Sequence, residues 1–225
     1  MKWEYLIFNA VIIAGPLLYS FDDEIRYVDH WKSAAAGIVA GLVPFIIWDA
    51  LVTGRHWWFN KSFTSGITIA GLPLGEWLFF ITVPFACIFV WEIITHRKEL
   101  NQIDSLKLIY YVLFAGIGIG IWAFTSGLEY TGLVLIALGA VAMLDMFTNS
   151  YVLLQSRTYL FLAIVIGLVL VFNGYLTARP VVLYGEQYQL SFRIITIPIE
   201  DFFYGFSLLL LNIIVYEKFR RRVHA

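Results

Sequence analysis

Long apolar runs separated by polar connections dominate the chain. A helix that spans a membrane needs roughly 17–25 mostly apolar residues, and seven runs qualify. They lie at about 3–20, 33–53, 75–95, 107–124, 130–148, 159–177 and 199–217. Two connections, about 54–74 and 178–198, are longer and rich in aromatic and polar residues. The pattern predicts an all-α integral membrane protein with seven transmembrane helices.

The composition supports this prediction and excludes several functions. The chain is 60 % hydrophobic and only 14 % charged, whereas a soluble domain carries about 25 % charged residues. Its net charge of -1 and the lack of a Lys/Arg stripe exclude a nucleic-acid-binding protein. There is no P-loop and no dinucleotide-binding glycine motif, so we expect no cofactor. The histidines are too dispersed to predict a metal site: His30, His56, His96 and His224.

Basic residues predict the orientation in the membrane. The tail Lys218–Arg222 is a strong signal for the inner side. Placing it inside also places there Arg26, Lys32, Arg97, Lys98, Lys107 and Arg157. The residues left outside are Lys2, Arg55, Lys61, Arg179 and Arg193. We therefore predict a multi-pass protein of the cell membrane with the N-terminus outside and the C-terminus in the cytoplasm.

The two halves of the chain repeat one pattern. Asp49–Arg55 aligns with Asn173–Arg179 without a gap, and further on Glu76 and Asp201 each follow a proline by three residues. The predicted repeats are about 1–98 and 129–218, joined by a linker helix at about 107–124. Because both copies run in the same direction, the architecture is a parallel 3+1+3 repeat. Matched residues then face each other across a central axis along the membrane normal.

Three carboxyl groups lie in the first turns of the third and seventh predicted helices: Glu76, Glu200 and Asp201. Charges at the edge of a hydrocarbon layer are costly and indicate function. The structural alternative is complementation of the helix dipole, worth roughly 0.3–1 kcal/mol. Because the carboxyl groups recur at matched positions, we favour a functional role. A second matched pair, Glu92 and Glu217, lies roughly 24 Å further along these helices and is expected to pair with Arg97 or the basic tail.

Other repeated residues are expected to converge on the outer third of the bundle. The polar ones are Asp49, Thr53, Arg55, Asn173, Thr177 and Arg179. The two arginines among them are expected to act as ion-pair partners or interface anchors. Aromatic residues one or two turns below the carboxyl groups could stabilise a carbocation, since aromatic faces attract cations; ordinary packing is the alternative. These residues are Phe79, Phe80, Phe203 and Tyr204.

The duplicated motif, PLGEWLF at 73–79 and PIEDFFY at 198–204, resembles that of the non-flavin lycopene cyclases. The resemblance covers nearly the whole chain. It implies a cofactor-free, acid-initiated and redox-neutral cyclisation of acyclic carotenoid end groups to β-ionone rings. The substrate would come from the bilayer, and other enzymes of the carotenoid pathway are the expected protein partners. The suspected acid/base groups of the family fall on Glu76, Glu200 and Asp201.

One position departs from the family pattern. Gly75 stands where the first motif usually has a second acidic residue. We therefore expect Glu200 and Asp201 to carry the main acid role, with Glu76 assisting. Three alternatives stay open: a small-solute transporter of the same 3+1+3 architecture, a cyclase of longer carotenoids, and an enzyme that forms ε rings.

Overall fold

A computed structural model describes residues 2–223, with side chains through Arg221. Met1, His224 and Ala225 lie outside the described residues. The protein consists mainly of helices: α1 (Glu4–Tyr19), α2 (Trp31–Val52), α3 (Leu74–Arg97), α4 (Leu108–Thr125), α5 (Glu129–Phe147), α6 (Ser156–Ala178) and α7 (Ile199–Val223). Helix α6 contains a π-helical turn at Val169–Asn173. Single 3-10 turns occur at Tyr27–His30, Asp104–Lys107, Val152–Leu154 and Glu186–Tyr188.

Each helix lies close to a predicted apolar run, so the prediction of an all-α protein is confirmed. Six helices are long and apolar enough to cross a membrane, which indicates a membrane protein. Helix α1, with 16 residues, is shorter than these six. The largest difference from the predicted bounds is at α7, where the helix continues through the basic tail to Val223.

Two short hairpins lead into α3 and α7. The first pairs β2 (Thr68–Ile69) with β3 (Leu72–Pro73), and the second pairs β5 (Arg193–Ile194) with β6 (Ile197–Pro198). Their registers match, because the proline that ends each hairpin lies opposite its first strand residue. Proline has no N–H to donate and is tolerated where a helix begins, so each motif proline ends a strand and starts a helix.

The two long connections lie side by side at the same end of the bundle. Strand β1 (Trp57–Phe59) of the first pairs antiparallel with β4 (Val182–Tyr184) of the second. The pairing forms a cover directly above the first turns of α3 and α7.

Helices α3 and α7 occupy the centre. Helix α1 packs on α3, α2 and α5 pack on α7, and α4 packs on α5. The contact between α2 and α7 is very close at two glycines. A Cβ added at Gly37 would lie 2.6 Å from the carbonyl oxygen of Asn212, and one at Gly41 would lie 1.9 Å from its Oδ1. Small residues therefore close this side of the bundle.

Candidate active site

The first turns of α3 and α7 line a cavity of about 120 Å3 together with residues of the paired strands β1 and β4. Three carboxyl groups line it, one from each of α2, α3 and α7: Asp49, Glu76 and Asp201. The aromatic part of the lining consists of Tyr5, Trp57, Phe59, Phe79, Tyr130, Tyr184 and Tyr204. The cavity thus combines acidic groups with walls that are largely aromatic and apolar.

Asp201 accepts three hydrogen bonds. Its Oδ1 accepts from the Tyr130 hydroxyl at 2.7 Å. Its Oδ2 accepts from the Tyr184 hydroxyl at 2.6 Å and from Nδ2 of Asn173 at 2.7 Å. Burial, and to a lesser degree the neighbouring Asp201, raise the pKa of Tyr184 well above its usual range, so that this hydroxyl remains a donor. Both oxygens of Asp201 are therefore held by neutral donors from three different segments.

Glu76 accepts a hydrogen bond from the buried hydroxyl of Tyr5 on α1. Gly75 explains how that tyrosine reaches the site, because a Cβ at Gly75 would lie 2.5 Å from the tyrosine ring. Asn9 fixes the same turn by donating to the carbonyl of Gly75 at 2.9 Å. The glycine that departs from the family pattern thus makes room for the residue that holds Glu76.

Asp49 contributes the third carboxyl group. Its Oδ1 accepts from Nε1 of Trp57 at 2.6 Å. Its Oδ2 is buried and has no hydrogen-bond partner within residues 2–223. Within the same range, no Lys or Arg side chain forms an ion pair with Asp49, Glu76 or Asp201. The cavity thus holds several carboxyl groups without a compensating cation.

Glu200 lies outside this cavity. It is only 1 % exposed, but its side chain points toward α5 and the second long connection. Its Oε1 accepts from the Thr131 hydroxyl at 2.6 Å and from the Leu190 amide at 2.8 Å. Adjacent helical residues point in different directions, so Asp201 lines the cavity, whereas Glu200 links the second long connection to α5 and α7 through its hydrogen bonds.

The other predicted polar residues divide into two groups. Asp49 and Asn173 line the cavity. Thr53 is half-buried, and its buried hydroxyl oxygen has no hydrogen-bond partner in the described part of the chain. The hydroxyl of Thr177 lies 2.6 Å from that of Thr196. Arg55 and Arg179 are not brought to the carboxyl groups of the cavity.

The two arginines form ion pairs at the surface. Arg55 pairs with Glu129 on α5, and Arg179 pairs with Glu4 on α1 at 2.8 Å. Each pair joins a connection of one half to the first helix of the other. His56 lies 2.9 Å from the carboxylate of Glu129, and burial lowers the pKa of this histidine.

Two of the four predicted aromatic residues reach the cavity, namely Phe79 and Tyr204. Phe80 is fully buried in a separate apolar cluster that includes Phe45 and Leu72. Phe203 points outward and is 37 % exposed.

Sequence reasoning missed the tyrosines that hold the carboxyl groups. Tyr5 and Tyr130 are separated by the same number of residues as Glu76 and Asp201. Extending the repeat to its first helix would have found them, together with Glu4 and Glu129. Tyr184 had no such signal, because its matched residue in the first half is Phe59.

The inner carboxyl pair has quite different surroundings. Glu92 accepts from the Tyr216 hydroxyl and pairs with Arg220 at 2.9 Å. Glu217 accepts from Nε1 of Trp91 at 2.8 Å and lies 3.9 Å from Arg157. One of the two expected partners, the basic tail, thus supplies the arginine for Glu92. In the described residues, no group of three His, Cys, Asp or Glu side chains could hold a metal ion.

Comparison with known proteins agrees with the motif. A family model described as lycopene cyclase matches residues 2–94 and 128–219, which together make up most of the chain. No curated protein and no solved structure matches the chain. The matched segments contain all three carboxyl groups of the cavity, and the match confirms the resemblance inferred from the duplicated motif. The chain belongs to the lycopene cyclase family.

Proposed function

We propose that Glu76 and Asp201 are the acid/base pair of this enzyme, with Asp49 as a third carboxyl group of the same site. The activity itself is lycopene cyclisation, an intramolecular lyase reaction, because the chain belongs to that family. Membership of this family argues against the alternative that the protein is a small-solute transporter. The observation that carries the residue assignment is the single cavity lined by these three carboxyl groups and by aromatic walls.

The reaction needs a proton to be added and a proton to be removed. The acid protonates the terminal C=C of the acyclic end group, which leaves a tertiary carbocation. The π electrons of a neighbouring C=C then form the new ring bond and move the cation into the ring. A base removes a ring proton and a ring C=C forms. One proton enters and one leaves, so the product is an isomer of the substrate and nothing is oxidised.

The hydrogen bonds support separate roles for the two groups. Donors directed at a carboxylate stabilise its charged form. Asp201 accepts three such bonds, so we assign it the role of base and of counter-charge to the cation. Glu76 accepts its bond from Tyr5 and is assigned the role of acid. After each turnover the proton on Asp201 returns to Glu76 within the shared cavity, where Asp49 can relay it.

The aromatic walls complete this chemistry. Phe79 and Tyr204 line the cavity beside Trp57 and Phe59. Their faces attract a cation without offering an oxygen that could capture it. An apolar lining also limits access of water, which would otherwise add to the carbocation and give an alcohol. Cyclisation to a β-ionone ring is the outcome we propose, with ε rings and longer carotenoids as the alternatives that product analysis tests.

We further propose the parallel 3+1+3 architecture, with repeats at about 1–98 and 129–218 and a linker at about 107–124. Reciprocal contacts between the halves support it. At one end Arg55 pairs with Glu129, and Arg179 pairs with Glu4. Each contact has its counterpart with the halves exchanged, as a two-fold relation requires.

The orientation is proposed as N-terminus outside and C-terminus in the cytoplasm. It is supported by the clustering of Arg157 and Arg220 around the inner carboxyl pair and by Lys218, which donates to the carbonyl of Thr148. A reporter protein that works only in the cytoplasm should be active when it is fused after residue 225. An inactive reporter would indicate the reverse orientation.

Expression of the chain alone in lycopene-producing cells tests the active site. The intact chain should convert lycopene to cyclised carotenoids, which chromatography separates by retention and absorption spectrum. Glu76→Gln keeps the shape of the side chain but cannot donate a carboxylic acid proton, and lycopene should remain. Glu92→Gln is the matched control at the inner end of the same helix and should retain conversion per enzyme molecule. Conversion by Glu76→Gln at the rate of the intact chain would refute the assignment.

A further inference from the structure

A second cavity, of about 260 Å3, adjoins the carboxylate cavity. It lies between α1, α3 and α6, and its walls are almost wholly apolar. Both cavities share Phe79, Val83, Val169, Asn173 and Leu209 as lining residues. The second cavity is therefore a continuation of the first, and it extends the site along α3 away from the carboxyl groups.

Its shape is long rather than round. Along α3 the lining runs from Phe79 to Val90, which corresponds to roughly 16 Å at the rise of an α-helix. Aromatic contacts mark both ends. Phe8 meets Phe172 edge-on at 5.9 Å near the carboxyl groups, and Phe161 meets Trp91 edge-on at 5.6 Å near the inner end. Between α6 and its neighbours α1 and α3, the second cavity takes the place of direct packing.

On the opposite side of the bundle, α2 is closed against α7 at Gly37 and Gly41. The positions of α6 that match these glycines hold Phe161 and Val165. Side chains there prevent α6 from approaching α3 as closely, and Val165 lines the gap. The π-helical turn Val169–Asn173 follows on the same helix and turns Asn173 toward Asp201. The two sides of the pseudo-symmetric bundle thus differ in a way that matters for ligands.

We infer that this cavity, named here the stem cavity, binds the conjugated polyene stem of the carotenoid while its end group lies at Glu76 and Asp201. The inference rests on the proposed function of the carboxylate cavity. A polyene stem is a narrow, rigid and purely apolar rod that cannot fit in the smaller cavity with its end group. The stem cavity has a matching polarity, runs lengthwise from the carboxyl groups and is bounded by α1 and α6.

Both of these helices carry exposed apolar residues on their outer faces, such as Val11 and Val171. We assign the entry of the carotenoid from the lipid to the seam between α1 and α6.

Filling the stem cavity tests the inference. Ala86 lies in its wall, more than two turns below Glu76 on α3. Ala86→Phe places a ring where the polyene would lie and should lower bound pigment about tenfold, or about 1.4 kcal/mol, because ring and polyene cannot occupy the same space. Ala10→Phe adds the same ring to an exposed face of α1 and is the control. Ala86→Leu is the milder variant, for which we expect a smaller loss in the same direction.

The measurement is total carotenoid bound per protein after purification from lycopene-producing cells, whether cyclised or not. The Ala86 and Ala10 variants are measured both with the native Glu76 and with Glu76→Gln, so that pigment binding is measured separately from cyclisation. Loss of pigment in both backgrounds for Ala86→Phe, with none for Ala10→Phe, supports the stem cavity. If Glu76→Gln still cyclises while Ala86→Phe loses pigment, the stem cavity stands and the catalytic assignment falls. Full pigment in Ala86→Phe and Ala86→Leu overturns the inference.

Discussion

Matched carboxyl pairs occupy both ends of α3 and α7, and their surroundings differ. At the outer end, Glu76 and Asp201 receive hydrogen bonds from hydroxyl and amide groups and face a cavity. At the inner end, Glu92 and Glu217 are compensated by Arg220 and Arg157. The same residue type at matched positions thus has two different surroundings, neutral donors at one end of these helices and arginines at the other.

The physical difference is the compensating charge. A buried ion pair fixes both partners as ions, and removing one of them leaves an uncompensated charge in a medium of low dielectric constant. The inner carboxyl groups are each paired with an arginine. The outer carboxyl groups are held by neutral donors, and proton transfer between them is part of the proposed function. This comparison leads to four predictions, given from the largest expected effect to the smallest.

The largest difference between the two pairs is expected when one carboxyl group at each end of α7 is neutralised and the cyclisation rates are compared. Asp201→Asn should lower cyclisation by about 1,000-fold, within the range of general acid–base contributions, because the ring proton loses its acceptor. Glu217→Gln should leave the rate per enzyme molecule unchanged. The measurement is cyclised carotenoid divided by the amount of enzyme in the membrane. Equal losses in both variants would remove the distinction between the ends.

Removing the inner cation should affect stability rather than catalysis. Arg157 is buried, lies near Glu217 and sits over the ring of Trp91 at 5.0 Å. Arg157→Met should cost about 3 kcal/mol of unfolding free energy, as expected for breaking a buried ion pair. Thermal unfolding in detergent measures this loss, with Arg55→Met at the exposed outer pair as the control. An unchanged melting temperature for Arg157→Met would contradict the assigned structural role.

The matched tyrosines should differ in importance. Tyr5→Phe removes the donor to Glu76 and should lower the rate about tenfold, as for loss of one hydrogen bond to an ionisable group. Tyr130→Phe should have a weaker effect, because Asp201 keeps Tyr184 and Asn173 as donors. Turnover of both variants is compared at saturating substrate. A stronger effect of Tyr130→Phe would mean that Asp201 depends on this donor alone.

Glu200→Gln should have the smallest effect, less than about threefold, or under 1 kcal/mol. Gln keeps an oxygen that can accept from Thr131 and Leu190, so the connection stays attached. Asp201→Asn, one residue away, is the comparison that makes the result informative. A loss as large as that of Asp201→Asn would return Glu200 to the catalytic group.

Much of the architecture was predictable from the sequence. The helices lie close to the apolar runs because length and hydropathy alone define a membrane-spanning segment. The motif carboxyl groups were found because duplication at constant spacing is visible without a structure. Arg55 and Arg179 were expected to be ion-pair partners, and they are, although their partners Glu129 and Glu4 lie in the other half.

The choice between neighbouring residues was not predictable. Successive helical side chains point about 100° apart, so whether Glu200 or Asp201 faces the cavity depends on how α7 is rotated. That rotation is set by packing between elements distant in sequence, including the close contact of α2 with α7 at Gly37 and Gly41. The expectation that Glu76 only assists rested on treating Gly75 as a lost acid. The structure gives that glycine a steric purpose instead.

The closure of α2 on α7 at Gly37 and Gly41 has a kinetic consequence. In the proposed binding mode the stem cavity holds one carotenoid with one of its ends at the carboxyl groups, so one end would react in each encounter. To gain a second ring, the molecule would have to leave, reverse its direction and bind again. We therefore predict that synthesis of the bicyclic product is distributive, with the monocyclic carotenoid released into the membrane as a free intermediate. The share of the monocyclic carotenoid should rise as the ratio of lycopene to enzyme increases, because lycopene then competes with it for the binding site.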